Sequence, residues 1–397
     1  MMPVYSYIYS IPYICYALFL IVLSWYELRR KINKETVRKW CIISFVLFFG
    51  FRGFVSWDWM SYYPLFEEVE TITNIADQGW VLVVEDGTKL DLIEPGYILY
   101  MSIIKSIWDN WFFFVLISTV IDIWVIDKFI RRFSPIYAFS ILMFCVFSMG
   151  LEFNVLRNAK AIIVFLLSFD AIYKKRWFAL IIYTLIGVSL HRSYLIYILF
   201  YFVGTKNFGV KLWWLIFIII NVIYWLQIPL VSTVVLPIIS SLGGDWAMKV
   251  EGYSSNDIYS VARGLSLGYV IRSFTFIMVA CNYRKILCLN KELILILNIY
   301  LLYIITNIGM TDMSVFCDRM EISLGFSMWI LYPVLGVLYY GRRRLLFLCY
   351  IFVYGLLRIG MLKSNAMEYY ENVLLGASDY ETRMSTHSSI ADELSSN

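Results

Sequence analysis

Ten ionisable residues stand in or beside apolar runs: Arg52, Asp58, Glu94, Arg157, Lys160, His191, Arg192, Arg272, Asp318 and Arg319. Such groups are costly in a hydrophobic setting and mark function by default. Several arginines gathered on one cavity fit a dianionic ligand, because a guanidinium grips phosphate oxygens with two parallel donors. A lipid pyrophosphate is a membrane ligand of that kind. Each arginine taken singly has a plainer reading, snorkelling to headgroups or pairing with a nearby acid. Arg272 lies too deep in its run to snorkel easily. The acids and His191 add groups that move protons near neutral pH.

Two short segments concentrate this chemistry. Phe51-Arg52-Gly53-Phe54-Val55-Ser56-Trp57-Asp58-Trp59-Met60-Ser61-Tyr62-Tyr63 places a cation, a carboxylate and aromatic faces close together. Rings that cover a sugar's apolar face beside an acid that accepts its hydroxyls would suit a glycan, although an interfacial aromatic belt has the same composition. Leu190-His191-Arg192-Ser193 is the second segment. A lone histidine is often a satisfied structural group. Here it adjoins an arginine at an interruption of an apolar run, which favours a functional role. The other histidine, His387, falls in a polar tail.

Other chemistries lack their motifs. The chain has no G-x-x-x-x-G-K-[ST], G-x-G-x-x-G, H-E-x-x-H or D-x-D pattern. Soluble nucleotide chemistry, a catalytic metal and a cofactor are therefore not expected, nor are serine-nucleophile chemistry and nucleic-acid binding. The seven cysteines are scattered without a C-x-x-C, and most read as small apolar fillers.

The elements that must position these residues are membrane helices. The chain is 61% hydrophobic, with a mean hydropathy of +0.72, too apolar for a soluble domain of this size. Basic runs at 27–39, 128–134, 174–176, 205–211, 282–292 and 341–344 separate apolar blocks, while the loop 58–94 carries nine acids and one lysine. Short basic loops stay in the cytoplasm, so this sorting fixes the topology. It predicts twelve spans near 4–26, 39–57, 111–128, 135–151, 155–173, 177–190, 191–204, 212–238, 264–281, 293–309, 320–340 and 345–361, with both termini outside. Residues 96–108 are too short to span and read as a re-entrant or interfacial outer helix. The stretch 177–204 reads as two short spans meeting at a turn near 190–193, below the outer surface. Residues 1–361 then form a single polytopic domain with outer loops 58–94 and 239–263. Residues 362–397 form an external tail, expected to be disordered from about 378.

Taken together, these segments resemble the Wzy/EpsG-type polysaccharide polymerases. The resemblance rests on Phe51-Arg52 with Asp58 and Tyr62-Tyr63, on Glu94-Pro95-Gly96-Tyr97, on Arg157-Asn158-Ala159-Lys160-Ala161, on His191-Arg192-Ser193 and on Asp318-Arg319. It covers about 40–340, and the order of the motifs carries more weight than any one of them. The stretch 205–263 matches none of them. The resemblance implies an all-α polytopic protein of GT-C-like polymerase architecture in the bacterial plasma membrane. Its substrates would be undecaprenyl-pyrophosphate-linked oligosaccharides, as donor and as acceptor, joined at the outer leaflet by a metal-independent, inverting transfer. A flippase and a chain-length regulator would be its partners beside the bilayer. The residues then take these expected roles: His191 as base, with Asp58 and Glu94 as alternatives, and Arg52, Arg157, Lys160, Arg192, Arg272, Arg319 and Tyr62 around the pyrophosphate. Arg157, Arg272 and Arg319 are expected on one cavity with Arg52 and Lys160 near its rim.

Two other classes share these features. A transporter or flippase of lipid-linked sugars also needs many spans and a cationic cavity, but favours repeated halves and midplane sites. An O-antigen ligase or a sugar O-acyltransferase would differ mainly in its acceptor.

Overall fold

The structure is a computed structural model that describes residues 4–74, 93–241, 264 and 266–396. It is all-α, with no strand among the described residues. It divides into two compact units: Met1–Tyr201 with Tyr340–Asn397, and Phe202–Tyr339. Residues 75–92 of the loop 58–94 and 242–263 of the loop 239–263 fall outside the described residues.

The first unit begins with α1 (Ile11–Leu28), which has a proline in its first turn, where the missing N–H costs nothing. Asn33 caps α2 (Lys34–Phe45) by accepting from the Glu35 amide at 3.0 Å. That helix runs on through a π-helical turn, Val46–Gly50, which delivers Arg52. Next come α3 (Trp59–Glu68) and α4 (Pro95–Ile107). Lys105 of α4 donates to the Phe66 and Glu67 carbonyls at 2.9 and 2.7 Å, so an ammonium closes the negative end of α3. Then follow α5 (Trp111–Phe133), α6 (Tyr137–Ser148), α7 (Leu156–Tyr173) and α8 (Trp177–Leu190). Glu27 of α1 caps α6 from a distance, accepting from the Tyr137 and Ala138 amides at 2.8 and 2.9 Å. Phe54, Trp59, Tyr62, Phe66, Tyr97 and Trp111 belong to one buried cluster that holds α3 and α4 against α5.

Gly96 sets the approach of α4 to α8. A Cβ there would lie 2.3 Å from Ser189 Oγ and 2.7 Å from Ser189 O. Only glycine lets the start of α4 meet the end of α8. That contact brings Glu94 to the expected break at 190–193, where α8 gives way to a 3-10 turn, Arg192–Tyr197.

Tyr7–Leu28 and Gly341–Leu362 are long and apolar enough to cross a membrane; Ser314–Leu324 with Ser327–Leu338, bent by 63°, would make a third span if counted as one. Shorter apolar helices run 10–17 residues, and α5 and α7, of 23 and 18 residues, carry charges along their length, where twelve spans were expected. The apolar blocks are interrupted by a π-turn, by 3-10 turns and by buried charges, so helix length and hydropathy part company. The tail also differs from expectation. Residues Tyr380–Ser396 form a helix. Tyr380 stacks on Tyr63 with ring centroids 4.5 Å apart, and Arg383, His387 and Ile390 are buried. Polar composition suggested disorder, but one apolar and aromatic stripe lets the segment pack.

The second unit contains helices Gly209–Trp225, Leu267–Cys281, Leu293–Gly309, Ser314–Leu324 and Ser327–Leu338. Trp213 packs among Phe276, Tyr283 and Tyr300. Asn298 Nδ2 holds the carbonyls of Val203, Gly204 and Lys206.

Candidate functional site

The site is built on a strained elbow. Val155, just before α7, has φ 51° and ψ 38°, the left-handed region. A β-branched residue there is a true outlier, at a cost of about 1–3 kcal/mol. Reciprocal bonds hold it. Asn154 Oδ1 accepts from the Trp57 and Asp58 amides at 3.1 and 3.2 Å, and Asp58 Oδ2 accepts from the Val155 amide at 2.5 Å. Asp58 therefore positions the first turn of α7, which carries Arg157.

Arg157 donates to Glu94 Oε2 at 2.7 Å and, through Nε, to the Tyr62 hydroxyl at 3.0 Å. Glu94 Oε1 accepts from the Arg192 backbone amide at 3.1 Å. Burial works to raise the Glu94 carboxyl, but Arg157, His191 and the Arg192 amide outweigh it and hold the group below the usual carboxylate range. Burial pushes the Tyr62 hydroxyl up, against the pull of Arg157. The side chain of Arg157 remains partly exposed while that of Glu94 is buried, so the guanidinium is the part a ligand can reach.

His191 stands at the end of α8. Its Nδ1 lies 2.7 Å from Ser193 Oγ, and Ser193 Oγ donates to Asn158 Oδ1 at 2.8 Å. Since the serine has one proton, this order makes Nδ1 the donor and leaves the lone pair on Nε2, the tautomer of a general base. The Ser193 amide also faces Nδ1 at 3.1 Å, the alternative arrangement of a helix cap. We assign the relay, from the shorter contact.

Arg52 and Lys160 were expected near the rim and are buried instead. Lys160 donates to Asp122 Oδ2 at 2.5 Å and to the Ser118 carbonyl at 3.1 Å. Arg52 donates to the Phe49 carbonyl at 2.6 Å and lies 4.0 Å from Glu152, whose Oε2 accepts from Thr119 at 3.0 Å. A cation embedded in apolar helices is held by an internal acid, not by reaching outward. Asp122 and Glu152 were missed, although an acid within an apolar run is the same signal as a base there.

Arg272 and Arg319 lie in the second unit and are described there alone. Arg272 donates to Glu321 Oε2 at 3.0 Å. Asp318 and Arg319 are exposed on the Ser314–Leu324 helix. A G-x-S-x-G spacing occurs at Gly264, Ser266 and Gly268, where serine-nucleophile chemistry was not expected. Ser266 accounts for itself as a helix cap, accepting from the Tyr269 amide.

The tail completes the first unit's site. Ser56 Oγ donates to Glu368 Oε1 at 2.8 Å, Lys363 donates to Glu368 Oε2 at 2.7 Å, and Asn154 Nδ2 donates to Ser56 Oγ at 2.7 Å. His387 donates from Nε2 to the Ser56 carbonyl at 3.1 Å and packs edge-on against Trp57 and Trp59. Sequence offered no signal for these partners beyond the polarity of the tail.

Among the described residues, apolar helices thus carry an arginine–carboxylate–tyrosine cluster beside a histidine relay. Residues 37–373 match the EpsG family profile. The chain belongs to that family, the family of the Wzy/EpsG-type polysaccharide polymerases. No curated protein and no solved structure matches it.

Proposed function

We propose that this protein extends a glycan by moving it from one undecaprenyl-pyrophosphate carrier onto the sugar of a second lipid-linked repeat unit, at the outer face of the bacterial plasma membrane. The observation that carries the reading is the grouping of Arg157, Glu94, Arg192 and His191 on three helix ends, with Tyr62 of α3 beside them, in a family member. Arg157 binds the donor pyrophosphate and stabilises the charge that grows on it as it leaves. His191 takes the proton of the acceptor hydroxyl through Nε2. Asp58 and Glu94 are weaker candidates for base, since Asp58 holds the Val155 amide and Glu94 holds Arg157. Direct attack on the anomeric carbon breaks its bond to the pyrophosphate oxygen and inverts the anomer, with no metal and no covalent enzyme intermediate. Residues near 58 pair with the tail through Ser56–Glu368 and Gly53–Glu371, which supports one common side for both.

Purified protein given lipid-linked repeat units, without nucleotide sugar or added metal, makes longer chains under this reading. If wild-type protein fails to elongate and instead carries the lipid-linked sugar across the bilayer, the flippase reading replaces it. Transfer of a finished chain to a different acceptor marks a ligase.

A further inference from the structure

We propose that the first unit holds an anionic phospholipid headgroup in a cavity between α5, α7 and α8, lined by Lys128, Arg132 and Arg176. The cavity measures about 320 Å³. Its wall includes Phe129, Leu166 and Tyr183, so cationic groups stand over an apolar floor. Asp170 also lines it, but that carboxylate is held by Arg132 and lies 3.5 Å from Lys174. Among the described residues, neither Lys128 nor Arg176 has a carboxylate partner. The lining is therefore net positive and asks for a negative charge.

A second observation gives the level of the cavity. Trp124 is 53% exposed and Trp177 is 47% exposed, on the two helices that flank it. Lys128 Nζ stands 3.3 Å from the centre of the Trp124 ring, and Lys175 stands 5.9 Å from that of Trp177. Exposed tryptophans paired with lysines sit at the boundary between headgroups and acyl chains. From there α8 presents Ile181 and Leu185, both exposed and apolar, as a track for an acyl chain. Basic pockets between membrane helices at this level take lipid phosphates. A phosphodiester with two acyl chains matches the cations, the apolar floor and the track together. The inference needs only that the protein sits in a membrane, so it stands or falls separately from the polymerase reading.

The test uses the full-length protein in detergent and native mass spectrometry, with added palmitoyl-oleoyl phosphatidylglycerol or the matching phosphatidylcholine. Wild type is expected to retain phosphatidylglycerol preferentially. Lys128→Gln with Arg176→Gln alters two exposed side chains and should weaken that retention by about 10- to 30-fold, from about 1 kcal/mol for each basic group. Ala179→Phe keeps every charge but fills the cavity that Ala179 lines, and should lose retention as well. No lipid preference in wild type overturns the proposal, as does unchanged retention in the double variant. Retention by Ala179→Phe alongside loss in the double variant would mean diffuse surface attraction, not a site. Displacement of the lipid by millimolar inorganic phosphate would make this a free-phosphate site and overturn the lipid assignment.

Discussion

The Glu94 carboxylate takes the Arg157 guanidinium on one oxygen at 2.7 Å and the Arg192 backbone amide on the other at 3.1 Å. One side chain thus ties the start of α4, the first turn of α7 and the break after α8. Arg157 spends its Nε on Tyr62 at 3.0 Å, so its planar fork is oriented before any ligand arrives.

Lysine at position 157 keeps the charge and loses the fork. Charge-assisted hydrogen bonds are worth about 1.5–3 kcal/mol, so Arg157→Lys should lower the elongation rate about 10- to 100-fold. Chain extension by purified variant and wild type checks this. Glu94 also gives the pair a pH limit. Its folded carboxyl lies below the ordinary range near about 4.3, so the ion pair is intact above that range. Its contribution is lost as pH falls through the lower folded value. Activity that declines already between pH 8 and 6 in a Glu94-dependent manner would contradict this sign.

His191→Ala removes the proposed base and should slow elongation by about 10²–10⁴-fold. Asparagine separates chemistry from capping, because it caps helix ends well but cannot take the proton. His191→Asn should stay as slow as alanine. Ser193→Ala breaks the relay to Asn158 while leaving the backbone amide in place, and should cost activity in the same assay. Full activity in Ser193→Ala would establish the cap arrangement and the opposite tautomer.

The tail helix carries its own titration. Burial first, and the nearby Arg383 second, push the His387 imidazole below its ordinary value, against the Ser56 carbonyl that favours the charged form. The sign follows: the unfolded tail binds the proton more readily than the docked one. Docking is fully supported above about pH 6.5 and weakens as pH falls through the lower folded value. With exchange referred to the intrinsic amide rate at each pH, the protection of 380–390 should fall on going from pH 7.5 to 5. His387→Phe fills the same space between Trp57 and Trp59 without titrating, and its protection relative to the intrinsic rate should stay flat over that range.

Topology is checked by cysteine labelling in intact cells. Sites near 61 and 378 should react from outside, and sites near 31 and 343 only after permeabilisation. The sorting of basic runs motivates the sides. Labelling of the tail from the cytoplasmic side alone would reverse the proposed orientation.

Sequence reached the helical class and the family because composition, basic runs and ordered motifs are written in residue types. It also singled out Glu94, Arg157 and His191, which stand at neighbouring helix ends because each opens or closes a helix. Three features were not legible. Arg52 and Lys160 look like rim cations until Glu152 and Asp122, remote in sequence, are seen beside them. Asp58 resembles a base, yet its oxygen closes a backbone elbow at Val155 that no residue type announces. The tail reads as polar, but its burial depends on Trp57, Trp59 and Tyr63 more than 300 residues away in the chain.

The Lys160–Asp122 pair makes the last prediction. Both side chains are buried, and the pair closes at 2.5 Å. Breaking a buried ion pair leaves one charge uncompensated at about 3–5 kcal/mol, whereas replacing both partners with apolar residues is often neutral or better. Lys160→Met alone should therefore lower the melting temperature sharply, and Lys160→Met with Asp122→Leu should recover most of it. If Lys160 only supports the fold, the double variant also regains elongation. If it contributes charge to the pyrophosphate site one turn away at Arg157, the double variant folds but stays slow. Because Lys160 is closed off by Asp122 and the Ser118 carbonyl, the first result is expected. A stable, inactive double variant would return Lys160 to the substrate site.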